Sequence, residues 1–522
     1  MKLKKTIFGK SSQYVVLKSD LEIACLTEEV RVSSVKYALF VSMFVTFIIS
    51  IAYFLYGVVG EYSSFDFFAI VTIVMSLYSI YVIFLFRGNL IITFRYLILF
   101  IPIIVTSYVW WKYKGEVYTH YMGFDYQTVK ATYMVVFGGI LSAIGAATGW
   151  IFGIYKFRSY GYTASRKQYY ALKYIKKHSN KLIYIGTFGA LLFGYLYLLK
   201  SGGTLFSKGS YTGHGQGLKI DFAVFNIFQM FFMALALIGI TLQKTKYRLT
   251  FLFLIISYIF GILAGSRADY LLPILLLLLI LLDGNVLNAN YKPMFIILIN
   301  RYSRVALITF FGFIISSSFA LFRNNLDMNL LSIFIEYFED ISQIFIVTMR
   351  GHEVFWMETA NHAIGGFYGF VQKIDLGYMN YLYGLDYLYF IPRALPGSIR
   401  PESLDALNLA WHTGINGEVM TQGGVYESAE AYANFGFIGC FFISFFISFF
   451  YAWLLKKAKK DGSVFFMAWY LVNGFMVSRI IWYQNFILVR IATVILIFYI
   501  LYYIYRKVLF FTPNSLSKKH AL

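Results

Sequence analysis

The chain has 522 residues, of which 59% are hydrophobic and only 13% are charged, and its formal net charge is +20. Apolar residues recur in runs near the roughly 20 residues that cross a bilayer, so the composition excludes a soluble globular protein. A basic excess would suggest nucleic acid in a soluble protein, but in a membrane protein it is the usual mark of cytoplasmic connections. We therefore expect membrane lipid around the chain and no nucleic acid partner.

Twelve candidate transmembrane helices follow in chain order. The first begins near Tyr37 and ends without a small-residue cleavage site, so we expect a retained span rather than a cleaved signal. The predicted spans cover residues 37–58, 65–86, 89–111, 131–155, 182–199, 222–242, 249–264, 268–282, 305–322, 433–455, 463–483 and 486–505. The predicted fold class is an all-α polytopic membrane protein.

Charge in the connections orients these spans, because basic residues are retained on the cytoplasmic side. Basic clusters follow every second span. The strongest is the 156–181 connection, which holds Lys156, Arg158, Arg166, Lys167, Lys173, Lys176, Lys177 and Lys181 and no acidic residue. Both termini are therefore predicted to be cytoplasmic.

The longest connection falls on the outer side, between the ninth and tenth spans. It is far longer than an ordinary loop and is rich in Tyr, Trp, Gly and His, which is typical of a structured segment that carries function. We expect spans 1–9 over residues 1–322, one large extracytoplasmic loop over residues 323–432, and spans 10–12 with a cytoplasmic tail over residues 433–522.

Arginines on the outer side need an explanation other than orientation. Planar guanidinium groups pair bidentately with phosphate oxygens, which suits a lipid-linked phosphate or pyrophosphate. Arg267 is the clearest case, because it lies beside Asp269 in the very short outer turn AGSRADY. The alternative is an arginine that reaches the lipid headgroups or pairs locally. The predicted pyrophosphate-binding residues are Arg267, Arg350, Arg393, Arg400 and Arg479.

The loop also supplies candidate proton acceptors. His352 and Glu353 follow Arg350 in MRGHEVFW, which places a potential base close to a potential phosphate clamp. Glu427 and Glu430 are three residues apart and share one helical face. Metal-binding spacings such as HExxH and HxxEH do not occur in the sequence, so we expect neither a metal nor another cofactor. The predicted catalytic residues are His352, Glu353 and Glu427, and the predicted substrate-binding residues are His412, Glu430 and Asn434.

Two segments near the end of the loop carry a family resemblance. They are FIPRALPGSIRP, from Phe390 to Pro401, and GGVYESAEAYANFGFIGC, from Gly423 to Cys440. With the twelve-span layout and AGSR at an outer turn, they resemble the Wzy-type O-antigen and oligosaccharide repeat unit polymerases. That family has a Pro-Arg segment in the large outer loop, then an acidic residue and an Asn-Phe-Gly-x-x-Gly entry to the next helix. Arg400 stands where the family pattern suggests a lysine, which preserves the charge.

The resemblance implies a GT-C-like glycosyltransferase of the bacterial cytoplasmic (inner) membrane, inverting and metal-independent. It would join undecaprenyl-pyrophosphate-linked oligosaccharide repeat units at the outer face, with a chain-length regulator and a flippase as possible partners. The alternatives are an O-antigen ligase, which uses the same donor, and a polysaccharide or lipid-linked oligosaccharide transporter. A transporter should carry charges deep within several spans, and Arg490 is nearly the only such candidate in this sequence.

Overall fold

The computed structural model of the protein is all-helical, without strands, in the residues it describes. Those residues are 68, 70, 71, 73–75, 90–113, 126–156, 177–200, 222–243, 248–263, 360, 363–370, 373, 377, 380–393, 425–461, 463–483 and 485–511. The predicted spans at 37–58, 268–282 and 305–322 lie outside them, as does most of the loop. The predicted all-α class is confirmed for the described residues, while the twelve spans, the GT-C-like arrangement and the three-part division of the chain stay predictions.

The described helices coincide with eight of the predicted spans and one segment of the loop. They are α1 (Leu90–Tyr113), α2 (Tyr126–Lys156), α3 (Ser179–Lys200), α4 (Phe222–Gln243), α5 (Arg248–Leu263), α6 (Leu385–Arg393), α7 (Glu427–Asp461), α8 (Val464–Phe475), α9 (Val477–Tyr483) and α10 (Phe486–Phe511). By length and composition, four of them, α2, α3, α7 and α10, could cross a membrane. Large apolar side chains on their surfaces, such as Phe188 at 70% exposure, suit contact with lipid.

Small residues bring α2 and α7 into backbone contact. Gly145, Gly149 and Gly153 recur at every fourth position and therefore lie on one face of α2. A Cβ atom added at Gly145 would overlap the carbonyl oxygen of Phe441, and one added at Gly149 would overlap that of Phe445. Close approach through small residues is a common way for helices to associate in lipid, where burial of apolar surface gives little driving force.

The segment α7 is a helical hairpin rather than a straight rod. Its backbone leaves the helical region at Phe435 and Gly436. Beyond that break, the Cys440 thiol lies 3.3 Å from the carbonyl oxygen of Ser428, twelve positions earlier. A continuous helix would separate the two by roughly 18 Å, since it rises about 1.5 Å per residue. The first arm, residues 427–434, therefore folds back along the second arm, residues 437–461.

Glycine and the loop together make this reversal possible. Gly436 has φ +64° and ψ −156°, a conformation that is essentially restricted to glycine. The break frees the carbonyl oxygens of Ala433 and Asn434, and these accept hydrogen bonds of 3.0 and 2.9 Å from the backbone amides of Leu382 and Tyr383. The segment before α6 thus supplies hydrogen-bond donors for the free carbonyl groups at the end of the first arm. Residues 427–432, assigned to the loop from the sequence, are helical and belong to α7.

Replacing Gly149 by leucine should destabilise the protein, because the new side chain would separate the backbones of α2 and α7. Overpacking typically costs about 1–3 kcal/mol, and contact with main-chain atoms places this variant at the upper end. Thermal unfolding of the purified protein in detergent measures the effect. Thr148→Leu is the matched control, because Thr148 is the residue next to Gly149 in the sequence and is only half-buried. Equal melting temperatures for the two variants would contradict the close contact.

Candidate functional site

A fully buried ion pair joins α1 to the first arm of α7. The Nη2 atom of Arg95 donates to Oε1 of Glu427 at 2.7 Å, and its Nη1 atom donates to Oε2 at 3.0 Å. Neither side chain is exposed. Two parallel charge-assisted hydrogen bonds fix both the distance and the orientation of the partners. The pair therefore determines where the first arm lies against α1.

The second arm of α7 completes the surroundings of this pair. Ser444 donates a 2.5 Å hydrogen bond to Oε1 of Glu427, and Arg95 donates from Nε to the Ser448 hydroxyl at 3.1 Å. The guanidinium carbon also lies 5.6 Å from the ring centroid of Tyr451. Burial of two charges is favourable only when further hydrogen bonds compensate for lost solvation, and these side chains provide them.

Glu427 was predicted from the sequence to be a catalytic base. In the structure both of its carboxylate oxygens accept hydrogen bonds from Arg95, and one also accepts from Ser444. These bonds engage both carboxylate oxygens with protein partners and fix the position and orientation of the carboxylate. The geometry therefore favours a positioning role for Glu427, and its role as the base stays a prediction.

Glu430 lies one turn further along the first arm and contacts a different element. Its Oε2 atom accepts a 3.0 Å hydrogen bond from the backbone amide of Asn485, in the turn between α9 and α10. Asn434, another turn along, donates from Nδ2 to the Glu430 carbonyl oxygen at 2.9 Å. All three residues are buried. The spacing of the two glutamates predicted one shared face directed at the same space, but their carboxylates contact different elements.

Helix α6 adds an acid and a phenol to this region. Asp386 is 1% exposed, and the Tyr387 hydroxyl oxygen is buried. Burial, and then the charges of Glu430 and Asp386, raise the pKa of Tyr387 well above its usual value, so that its hydroxyl remains a proton donor. The Tyr387 ring stacks on Phe435 with centroids 6.4 Å apart. We call Asp386, Tyr387, Glu430, Asn434 and Asn485 the polar cluster.

The amides of the polar cluster have hydrogen-bonding capacity to spare. Within the part of the chain that the structure describes, the Oδ1 atom of Asn434 and both side-chain polar atoms of Asn485 have no hydrogen-bond partner. Buried amide groups are seldom left in this state, and a bound water, ion or ligand can supply the missing partners. Carboxylate, amide and phenol groups together can bind the hydroxyl groups of a sugar, as acceptors and as donors.

The structure describes some of the residues of the predicted site. Glu427, Glu430 and Asn434 lie together on the first arm, and Arg479 is half-buried in α9. Arg393 is the last residue of α6. The remaining predicted residues lie outside the described part of the chain, and their roles stay predictions: Arg267, Arg350, Arg400, His352, Glu353 and His412.

Arg95 was not predicted from the sequence as a site residue. Its signal was a single arginine inside an apolar run, and an ionisable residue in a span is a functional candidate by default. Arg95 joins Arg490 as a buried charge inside a predicted span, since it is fully buried within α1. Sequence separation hid the pairing, since Arg95 and Glu427 are 332 positions apart.

Comparison with known proteins gives a match over nearly the whole chain. The model of a family described as O-antigen polysaccharide polymerase Wzy matches residues 38–510. No curated protein and no solved structure matches the chain. The matched range includes the buried ion pair, both arms of the hairpin and the polar cluster.

Removing one member of the ion pair should destabilise the protein more than removing both. Arg95→Leu or Glu427→Leu alone leaves an uncompensated buried charge, which typically costs about 3–5 kcal/mol, whereas the double substitution leaves none. Thermal unfolding of the wild-type protein, both single variants and the double variant forms a double-mutant cycle. Additive losses in that cycle would show that the two side chains do not interact as described.

Proposed function

Since the chain belongs to the O-antigen polysaccharide polymerase Wzy family, we propose that it joins undecaprenyl-pyrophosphate-linked oligosaccharide repeat units at the outer face of the bacterial cytoplasmic membrane. The family acts on lipid-linked repeat units, and its members are multi-pass polymerases of the glycosyltransferase type. In the proposed step, the bond from the anomeric carbon to the pyrophosphate oxygen breaks. A bond from that carbon to an acceptor hydroxyl oxygen forms, with inversion and without a metal.

The observation that carries this proposal is the polar cluster buried in a predominantly apolar helical assembly. Polar and ionisable groups are expensive in a membrane protein and are retained mainly where they serve a substrate. The cluster combines carboxylates with amides whose hydrogen-bonding capacity is unused within the described residues. This chemistry suits the hydroxyl groups of an acceptor sugar.

We assign the acceptor side of the reaction to Glu430. A general base must lie within hydrogen-bond reach of the proton that it takes, and Glu430 sits among groups suited to binding a sugar. Its Oε2 atom accepts a hydrogen bond from the Asn485 backbone amide, whereas the Arg95 guanidinium pairs with Glu427. The competing candidates for the base are His352 and Glu353 in the loop, and Glu427.

The glycosyl donor carries a pyrophosphate whose negative charge must be neutralised. We propose that the arginines on the outer side of the membrane do this. Arg479 belongs to α9, which ends directly before the turn that holds Asn485, so this helix connects a cation to the polar cluster. Arg267, Arg350, Arg393 and Arg400 are proposed to complete the site. Stabilising negative charge that develops on a leaving group is usually the largest contribution to catalysis of this kind.

Cytoplasmic termini, a chain-length regulator and a flippase partner belong to the same proposal. An O-antigen ligase would use the same donor, and a transporter would bind the same lipid. Loss of a polymerase leaves single repeat units on the lipid A core, whereas loss of a ligase leaves a bare core. A transporter forms no new glycosidic bond, so product analysis on purified protein in liposomes separates it from both enzymes.

Glu430→Gln should abolish polymer formation while leaving the fold intact, because the amide keeps the shape of the side chain but cannot take a proton. General-base catalysis typically contributes about 10²–10⁴-fold to the rate. The rate of polymer formation by purified protein measures this loss, and Glu430→Asp should retain part of the activity. A Glu430→Gln protein that polymerises at the wild-type rate would remove Glu430 from the mechanism and favour His352, Glu353 or Glu427.

Arg267→Ala and Arg393→Ala should shorten or abolish polymer ladders in a polymerase-null strain, because each removes a cation from the proposed pyrophosphate site. Lys112→Ala is the charge-matched control, since Lys112 is exposed at the end of α1. Membrane immunoblots establish equal expression. Full-length ladders from normally expressed arginine variants would show that the assignment of these arginines is wrong.

A further inference from the structure

An apolar groove runs along the surface of the hairpin. It has a volume of about 460 Å³ and is lined by Gly384, Tyr387, Phe435, Ile438, Gly439, Phe442, Ile443 and Phe446. This size lies within the roughly 300–1,000 Å³ of sites that bind small molecules. The lining residues of the second arm recur at helical spacing, so the groove extends along that arm for about three turns. It is therefore elongated along the arm.

The protein is closely packed beneath the groove. A Cβ added at Gly439 would overlap the Ala431 carbonyl oxygen of the first arm, and one added at Gly384 would meet the Phe435 ring. The floor is therefore the line along which the two arms meet. Phe442 and Phe446 stack with centroids 6.4 Å apart and form an aromatic wall.

One end of the groove adjoins the polar cluster. Tyr387 belongs to both, because its ring lines the groove and its buried hydroxyl lies within the electrostatic influence of Glu430 and Asp386. The apolar space thus begins beside the groups proposed to bind the sugar and leads away from them along the second arm. A ligand that filled both would be an amphiphile with one polar end and one apolar chain.

We propose that this groove holds the polyprenyl chain of the lipid-linked substrate, at the isoprene units nearest the pyrophosphate, an inference that rests on the proposed function. A single apolar chain suits an apolar groove that runs along one helical arm and begins beside the polar cluster. Binding the chain here would place the pyrophosphate and its first sugars beside Tyr387 and the polar cluster.

Photo-crosslinking of the full-length protein in nanodiscs tests this proposal. The probe is a polyprenyl pyrophosphate with a diazirine in the isoprene units next to the pyrophosphate, and a diazirine phosphatidylglycerol serves as the bulk-lipid probe. Ile438→Trp fills the groove, and because Ile438 is 69% exposed the larger side chain is compatible with the fold. Ile185→Trp is the matched control, on the exposed face of α3 at 55% exposure.

We expect the polyprenyl probe to label residues 435–446 in competition with unlabelled polyprenyl pyrophosphate. Ile438→Trp should reduce that labelling by about tenfold or more, the size of effect that small changes in an apolar pocket produce. Ile185→Trp should label like the wild type. Equal labelling by both probes, or labelling of the Ile438→Trp protein at the wild-type level, would overturn the proposal.

The same preparations separate this inference from the proposed function. If the Ile438→Trp protein labels normally and still forms polymer, the proposed lipid site in the groove is contradicted while the proposed polymerase function stands. Competitive labelling of the groove in a wild-type protein that forms no polymer under any condition would support the groove and contradict the proposed reaction.

Discussion

The bidentate contact between Arg95 and Glu427 is the constraint on which the arrangement of the site depends. Neither charge is exposed, so each requires the other, and the attraction is strong only in the fork geometry that is observed. The contact fixes the start of the first arm against α1. Ser444 and Ser448 then fix the second arm against the same two side chains. One polar contact thus sets the register of three helical segments.

The hairpin of α7 also requires hydrogen-bond partners for the backbone groups at its turn. A break in the helix is acceptable away from water only if the freed backbone groups find partners inside the protein. Leu382 and Tyr383 supply those partners, so the large loop is bonded directly into the helical assembly at this point. Gly436 supplies the backbone conformation that other residues avoid. The Asn-Phe-Gly-x-x-Gly motif therefore has a structural meaning in this chain as the turn of a hairpin.

The two sides of the hairpin turn have opposite chemistry. On one side Glu430, Asn434 and Asn485 form a buried polar surface, and on the other a groove lined by Phe442 and Phe446 follows the second arm. Tyr387 connects the two. A substrate with a sugar at one end and a long apolar chain at the other would satisfy both sides, which is the kind of substrate on which this family acts.

The sequence by itself determined the class of the protein and the segments that matter. Apolar runs placed most of the described helices within a few residues, because the thickness of a bilayer sets the length of a span. The spacing of Glu427 and Glu430 and the Asn-Phe-Gly-x-x-Gly motif identified a part of the chain that contributes to the buried ion pair and the polar cluster. Only the tertiary structure decided that α7 reverses at Gly436, that Arg95 neutralises Glu427 and that Glu430 meets Asn485. Those contacts join positions far apart in the chain, and neither hydropathy nor local spacing carries information about which distant charge a buried residue will meet.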